Sequence, residues 1–153
     1  MVINLAGGLN LGSGINLHAP AMLPEDYCAD IHERLVLYKR LANCETPEEL
    51  EGMHEELVDR FGLLPDPAKV LLETHRLRIA TKPLGISRID AGPESLVLQF
   101  ILNPPIDPAR IIKLVQSRKT YKLGSQDRLR VQAAMPDVAA RVTQARAVLK
   151  ELG

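Results

Sequence analysis

The chain has 153 residues, of which 46% are hydrophobic and 25% are charged, and its formal net charge is zero. A chain of this length can bury a core as one domain, so it needs neither disulfides nor a metal ion to fold. No apolar run reaches the length of a membrane span, and the first residues lack the basic and apolar regions of a secretory signal. We therefore expect a soluble, cytoplasmic globular protein.

Charge is unevenly distributed along the chain. Up to His75 there are 5 Lys and Arg against 13 Asp and Glu, and from Arg76 onward there are 14 against 6. The two parts therefore carry formal charges of −8 and +8. Such a split indicates either that the two parts complement each other within one fold or that each faces a different partner.

The first residues differ in composition from the rest. Residues 1–14 are rich in Gly, Asn and Leu and show no apolar period, which predicts a flexible linker or a segment derived from cloning. Residues 15–19 alternate apolar and polar side chains like a short strand. We therefore expect a single domain over residues 15–153.

A first amphipathic helix is predicted from Tyr27 to Asn43. Its core-facing positions at helical spacing are Ile31, Leu35, Tyr38 and Leu41 or Ala42. Arg34 is expected to face water. Cys28 and Cys44 lie on or near this helix, too far apart along its axis to bridge, and are therefore expected to be buried or half-buried free thiols.

The second helix has the strongest sequence signals of the chain. Thr46 is a good N-cap, Pro47 falls where a helix tolerates proline, and Glu49 completes a capping box. Gly62 is expected to end the helix in the left-handed conformation, with Pro65 just beyond it. Its buried stripe is predicted to be Leu50, Met53, Leu57 and Phe61.

The rest of the chain changes from helical to mixed patterning. Asp66-Pro67 starts a third helix that ends near Gly85. Two hairpins follow, over residues 86–101 and 120–131, with a helix capped by Asp107 between them and a last helix after Asp137. The predicted class is α+β: an antiparallel helical layer of three helices, followed by a small antiparallel sheet with two further helices.

One flank of the second helix stands out as a candidate protein interface. Helical periodicity places Glu56, Asp59 and Arg60 together beside the buried stripe. Leu63 and Leu64 follow and are expected to be exposed apolar anchors. The simpler interpretation is a solvated face with an i,i+4 pair between Glu56 and Arg60, which would stabilise the helix by a few tenths of a kcal/mol.

Catalytic signatures are absent from the sequence. There is no phosphate-binding glycine loop, nucleophile elbow, HExxH or CxxC motif, and no histidine pair has the spacing of a zinc site. We therefore expect a domain without catalytic residues, cofactor or metal.

A basic segment near the second hairpin offers an alternative function. Its cations are Arg118, Lys119, Lys122, Arg128 and Arg130. With Tyr121 as a stacking side chain, this hairpin could bind nucleic acid as an accessory module. The solvent faces of hairpins are commonly basic, however, because charged edges deter aggregation, and this simpler interpretation is preferred.

Three stretches of the chain carry a family resemblance. They are Leu23–Tyr27 (LPEDY), Arg34–Ala42 (RLVLYKRLA) and Glu56–Pro65 (ELVDRFGLLP). Together they closely resemble the C-terminal domain of bacterial transcription-repair coupling factors, the Mfd family. The match runs in order from about Ile15 to Leu152 and is weakest before Ile15.

The resemblance implies a regulatory domain in a longer, ATP-dependent DNA translocase whose motor lies elsewhere. Such a domain is expected to pack as an autoinhibitory clamp on the UvrB-like N-terminal module of the same protein and to mask the surface that recruits UvrA. Engagement with RNA polymerase would then release it. By position, Glu56, Asp59 and Arg60 match the family's contact residues for this clamp.

Overall fold

A computed structural model describes residues 2–4, 8–10, 14–125 and 127–153. The described residues form two compact units, one with residues 2–4, 8–10 and 19–79 and one with residues 14–18, 80–125 and 127–153. The predicted linker over residues 1–14 lies partly outside the described residues, and within it the backbone of β1 (Val2–Asn4) pairs antiparallel with β2 (Gly8–Asn10). The assignment of residues 15–153 to a single domain stays a prediction.

Three helices build most of the first unit: α1 (Ile31–Asn43), α2 (Pro47–Phe61) and α3 (Asp66–Thr81), whose last two residues belong to the second unit. The predicted start of α2 is confirmed, because the Thr46 hydroxyl accepts a hydrogen bond from the Glu49 N–H at 3.1 Å. This cap satisfies one of the orphan N–H groups of the first helical turn.

The first helix begins later than predicted. Asp30 is its N-cap and accepts from the His32 N–H at 2.9 Å, whereas the N–H groups of Tyr27 and Cys28 close a turn on the Pro24 carbonyl. Its buried side is rotated by about one residue, so that Ile31 is 55% exposed. The predicted exposure of Arg34 is wrong: its Nη1 donates to the Cys28 carbonyl at 2.7 Å, and the side chain is buried.

The core of the first unit is mostly aliphatic. Its most deeply buried large side chains are Leu37, Tyr38, Leu41, Leu50, Leu57, Leu71 and Leu72. The free thiols of Cys28 and Cys44 are both buried in this core, which confirms their prediction. Tyr38 anchors the segment before the helices, because its hydroxyl accepts from the Leu23 N–H at 2.9 Å.

The second unit contains one five-stranded sheet. Its strands are β3 (Ile15–Asn16), β4 (Ile86–Ala91), β5 (Ser95–Phe100), β6 (Tyr121–Gly124) and β7 (Arg128–Gln132), in the order β3-β4-β5-β7-β6. Both predicted hairpins are confirmed. The sheet is mixed rather than purely antiparallel, because β3 joins β4 in parallel with Ile15 opposite Ile89.

Two helices, α4 (Pro108–Ser117) and α5 (Val138–Leu152), complete the second unit, and the α+β class is confirmed. Asp107 caps α4 as predicted, by accepting from the Ala109 N–H. The last helix begins after Asp137 as predicted, and Asp137 caps it by accepting from the Ala140 N–H. Helix α5 contacts β4 and β5. The buried face of the sheet carries Ile89, Leu96, Leu98, Phe100, Leu129 and Val131, so the alternate residues of the same strands point to the opposite face.

A tight turn leads into the sheet. A short 3₁₀ helix (Lys82–Leu84) follows α3, and Gly85 ends it with φ +69° and ψ +31°. A Cβ at this position would lie 2.6 Å from Cδ of Pro105, so both the backbone conformation and the space require glycine.

Candidate functional site

The C-terminal end of α2 is held in place by local hydrogen bonds. The Gly62 N–H donates to the Val58 carbonyl at 2.9 Å, and the Tyr27 hydroxyl donates to the Gly62 carbonyl at 2.7 Å. Gly62 does end the helix, but with φ +94° and ψ −171° it does not adopt the predicted left-handed helical conformation. The last turn of α2 and Gly62 are therefore fixed before any partner arrives.

An ion-pair network joins this helix end to α1. Glu56 accepts two hydrogen bonds from the Arg40 guanidinium, at 2.6 and 2.7 Å, and a third from Arg60 at 3.1 Å. Arg60 also pairs with Glu33. The predicted i,i+4 pair between Glu56 and Arg60 is thus present as part of a four-residue network of Glu33, Arg40, Glu56 and Arg60.

Hydrogen bonding within the network favours its charged state. The bidentate bond from Arg40 lowers the pKa of the Glu56 carboxyl, and the same bond raises the pKa of Arg40. Both groups are therefore fully charged at neutral pH. Because both carboxylate oxygens of Glu56 already accept bonds, this side chain is better placed to hold Arg60 than to bind a cation from elsewhere.

Asp59 differs from Glu56 although both belong to the predicted interface. Its carboxylate is exposed, and within the described residues no hydrogen bond or ion pair engages it. Next to it, the Arg60 guanidinium lies 4.9 Å from the centre of the Phe61 ring, in the range of a cation–π contact. The site therefore presents the unpaired carboxylate of Asp59 beside Arg60, an arginine that contacts two carboxylates and one aromatic ring.

The two predicted apolar anchors have different environments. Leu63 is 86% exposed, as predicted. The predicted exposure of Leu64 is wrong, because Leu64 is only 7% exposed and belongs to the core of the first unit. Once Gly62 turns the chain, successive side chains point in opposite directions, so one leucine is in solvent and the other packs inward.

Sequence reasoning missed the contributions of Glu33 and Arg40, which come from α1 and hold Arg60 and Glu56. Helical periodicity could place both residues on a polar side of α1. It could not pair them with α2, because such pairing depends on how the two helices cross.

The predicted basic segment is divided by the structure. Arg118 forms an ion pair with Glu151 at 2.8 Å, whereas Lys119, Lys122, Arg128 and Arg130 are exposed, and within the described residues they have no ion pair. Tyr121 cannot stack on a base as predicted: it is buried, and its hydroxyl donates to Glu151 at 2.7 Å. Burial, followed by this bond, raises the pKa of Tyr121 to about 12.

The described residues hold neither a cluster of metal ligands nor a membrane-spanning helix. No three or more His, Cys, Asp or Glu side chains there are grouped so that they could hold a metal ion. None of the helices formed by the described residues is long and apolar enough to cross a membrane.

The arrangement of helices and sheet has a counterpart among solved structures. A crystal structure of the C-terminal domain of transcription-repair coupling factor superposes with a TM-score of 0.69, covering 90% of this chain and 92% of that one, at 20% sequence identity. The fold is therefore the one that this class of domain adopts.

Sequence comparisons define the family. The TRCF domain model matches residues 17–111. The transcription-repair-coupling factor of Escherichia coli is 37% identical over 139 residues, which are 90% of this chain and 12% of the relative. That of Haemophilus influenzae is 44% identical over 102 residues, 67% of this chain and 9% of the relative. The chain belongs to the TRCF domain family, and it spans only about a tenth of the length of these relatives.

Proposed function

We propose that this chain is a regulatory domain of a transcription-repair coupling factor and acts as an autoinhibitory clamp. In this proposal the end of α2 binds the UvrB-like N-terminal module of the same protein and masks the surface that recruits UvrA. The domain itself performs no catalysis, and the ATP-dependent motor lies elsewhere in the cytoplasmic parent protein. The observation that carries the proposal is the open carboxylate of Asp59 close in sequence to the exposed Leu63.

The ion-pair network gives this surface a fixed shape. Arg60 is held by Glu56, Glu33 and the Phe61 ring, and Glu56 is held in turn by Arg40. Side chains that are already ordered lose little conformational entropy on binding, so more of the contact energy appears as affinity. In the proposed complex, Asp59 pairs with a cation of the partner, and Glu56 acts by positioning Arg60.

The size of the contact suits a clamp that opens. An exposed ion pair contributes about 0 to 1 kcal/mol. Burial of a leucine side chain contributes about 1.5 to 3 kcal/mol. These side chains therefore contribute only a few kcal/mol of the total binding free energy, an amount that a competing interaction such as engagement with RNA polymerase can supply.

The test is a calorimetric titration of this chain with the UvrB-like N-terminal module of its parent protein. We expect saturable binding, which Asp59→Lys weakens by reversing the open charge. Leu63→Ala should weaken it by roughly 1 to 2 kcal/mol, because part of the buried apolar area is lost. Neither change touches the core of the first unit, so both variants should keep the melting temperature of the parent chain.

Matched controls separate the site from general charge effects. Glu55→Lys makes the same type of charge reversal at an exposed position of the same helix, and Leu123→Ala truncates a 53% exposed leucine on β6. Both controls should bind like the parent chain. Equal losses in the controls and in the site variants, or no binding by the parent chain, would refute the clamp.

A further inference from the structure

The exposed face of the five-stranded sheet carries four cations. Residues on this face lie opposite one another in two rows across the strands. One row runs from Arg88 through Gln99 to Arg128, and the other from Val97 through Arg130 to Lys122. All four cations are exposed, and none of them has an ion-pair partner among the described residues.

One acidic group shares the face. Asp90 lies opposite Val97, and its carboxylate is 2.5 Å from Nε2 of His18. It therefore has a neighbour of its own and leaves the charge of the four cations largely uncompensated. The rest of the facing positions on β5 carry no charge.

The arrangement of the cations works against folding stability. Lys122 lies directly opposite Arg130, and like charges at opposed positions of a sheet destabilise it. Opposite Arg128 the neighbouring strand has Gly124, which has no side chain to pack against this arginine. Protection of an edge strand does not explain the cations on β7, which is an interior strand of the sheet.

We propose that this face binds the phosphate backbone of double-stranded DNA. The cations span four neighbouring strands, from β4 to β6, and strands lie about 4.8 Å apart, so they cover about 14 Å. One strand of a DNA duplex presents a phosphate about every 3.4 Å along the helix axis, hence about four over this span. Three of the four cations are arginines, whose planar guanidinium matches phosphate with two hydrogen bonds.

The chemistry of the face favours a duplex over a single strand. Proteins that hold single strands stack their bases on exposed aromatic side chains. Tyr121, the one aromatic residue of the second hairpin, is buried, and its hydroxyl is bound to Glu151. No aromatic residue occupies the cationic rows, so this face offers charge to the backbone and no surface for stacking a base.

The test is fluorescence anisotropy of a short labelled DNA duplex of random sequence, titrated with this chain over a series of salt concentrations. Each phosphate contact contributes about −0.9 to the slope of log K against log salt, so four contacts predict a slope of about −3 to −4. The double variant Arg128→Gln with Arg130→Gln should make that slope less negative by about 2, because two phosphate contacts are lost. It should also weaken binding at low salt at least about tenfold. Its melting temperature should be unchanged or higher, because a like-charge pair is removed.

Control variants and competitors test whether duplex binding depends on the cations of the sheet face. Lys113→Gln with Lys150→Gln removes the same charge from exposed positions of α4 and α5, and it should leave duplex binding close to that of the parent chain. Asp59→Lys should also leave the sheet-dependent part of the binding intact, which keeps this proposal separate from the clamp. The proposal is overturned if the parent chain does not bind the duplex, if both double variants lose binding equally, or if a single strand or poly-glutamate binds as tightly.

Discussion

The two units of the molecule differ in how far their charged side chains are paired. The first unit has 7 Lys and Arg against 13 Asp and Glu, and at the end of α2 all but one of the charged side chains of the predicted interface are paired within the unit. The second unit has 12 against 6, and four of its cations share one sheet face without an ion pair among the described residues.

This difference shows that net charge alone does not locate a binding surface. In the acidic unit the four side chains of the network are paired with one another, and Asp59 is the open charged member of the predicted interface. In the basic unit, Arg118 is paired with Glu151, but the sheet face remains uncompensated. Four predictions test this contrast, ordered by the size of the expected effect.

Substitution of a buried arginine should have the largest effect on the free energy of unfolding, and a larger effect in the second unit than in the first. Arg141 donates to the carbonyls of Leu17 and Met135, both at 3.1 Å, and reaches two more, whereas Arg34 donates to those of Cys28 and Ala29. Arg141→Met should lower the free energy of unfolding by roughly 2 to 4 kcal/mol, because it leaves buried carbonyls without a donor. Arg34→Met, with fewer bonds lost, should cost roughly 1 to 2 kcal/mol.

Urea denaturation of both variants measures these losses. Lys150→Met, a change at an exposed position of the same helix as Arg141, serves as the control and should cost less than about 0.5 kcal/mol. A ranking in which Arg34→Met costs more than Arg141→Met would contradict the hydrogen-bond account.

The first unit should also show a pH dependence that comes from His75. This side chain is fully buried, its Nδ1 accepts from Nε of Arg78 at 3.2 Å, and within the described residues its Nε2 has no hydrogen-bond partner. Burial, followed by the charge of Arg78, lowers the pKa of His75 to about 3. The unfolded chain binds a proton here near pH 6.5, whereas the folded chain does not.

The stabilising contribution of His75 is therefore complete above pH 6.5 and is lost as pH falls towards about 3. Its loss between pH 6.5 and pH 5 should lower the free energy of unfolding by about 2 kcal/mol. Urea denaturation at several pH values checks this, with His75→Leu as the comparison. If the free energy of unfolding of His75→Leu changed with pH as steeply as that of the parent chain, another group would be responsible for the pH dependence.

The ion-pair network should have a smaller effect on stability. Glu56→Ala removes the bidentate bond from Arg40 and the bond from Arg60, and it should cost roughly 0.5 to 1 kcal/mol because the pairs are partly exposed. The contribution should disappear as pH falls through the lowered pKa of Glu56 and should weaken in high salt. Glu55→Ala is the matched control, and an equal loss there would mean that the network contributes nothing.

The sheet face should show the smallest effect, and of opposite sign. Arg130→Thr removes a charge that opposes Lys122 and introduces a residue that favours strands, so it should raise the free energy of unfolding by a few tenths of a kcal/mol. Thermal melting at low salt, where the repulsion is strongest, gives the clearest measurement. A lower free energy of unfolding in this variant would contradict the view that Arg130 destabilises the sheet by repelling Lys122.

Local hydrogen bonds explain why much of the fold could be predicted. Thr46, Asp107 and Asp137 each satisfy N–H groups a few residues away, so their caps can be recognised in the sequence alone. Alternation along Leu96, Leu98 and Phe100 is an equally local pattern, and these three residues form the buried side of β5. These signals need no knowledge of distant parts of the chain.

The parts that could not be predicted depend on contacts between distant segments. The parallel pairing of Ile15 with Ile89, the bond between Arg40 and Glu56, and the burial of Tyr121 are set by how elements pack. The candidate site illustrates the limit. Periodicity grouped Glu56, Asp59 and Arg60, but only the packing of α1 shows that Asp59 is the open member.

Hydrogen exchange of this chain, alone and saturated with the UvrB-like N-terminal module, tests the proposed clamp most directly. The account predicts slower amide exchange in the last turn of α2 and through Leu63, with Asp59→Lys abolishing that protection. Protection confined to β6 and β7, or protection elsewhere that survives Asp59→Lys, would contradict the placement of the clamp on the second helix.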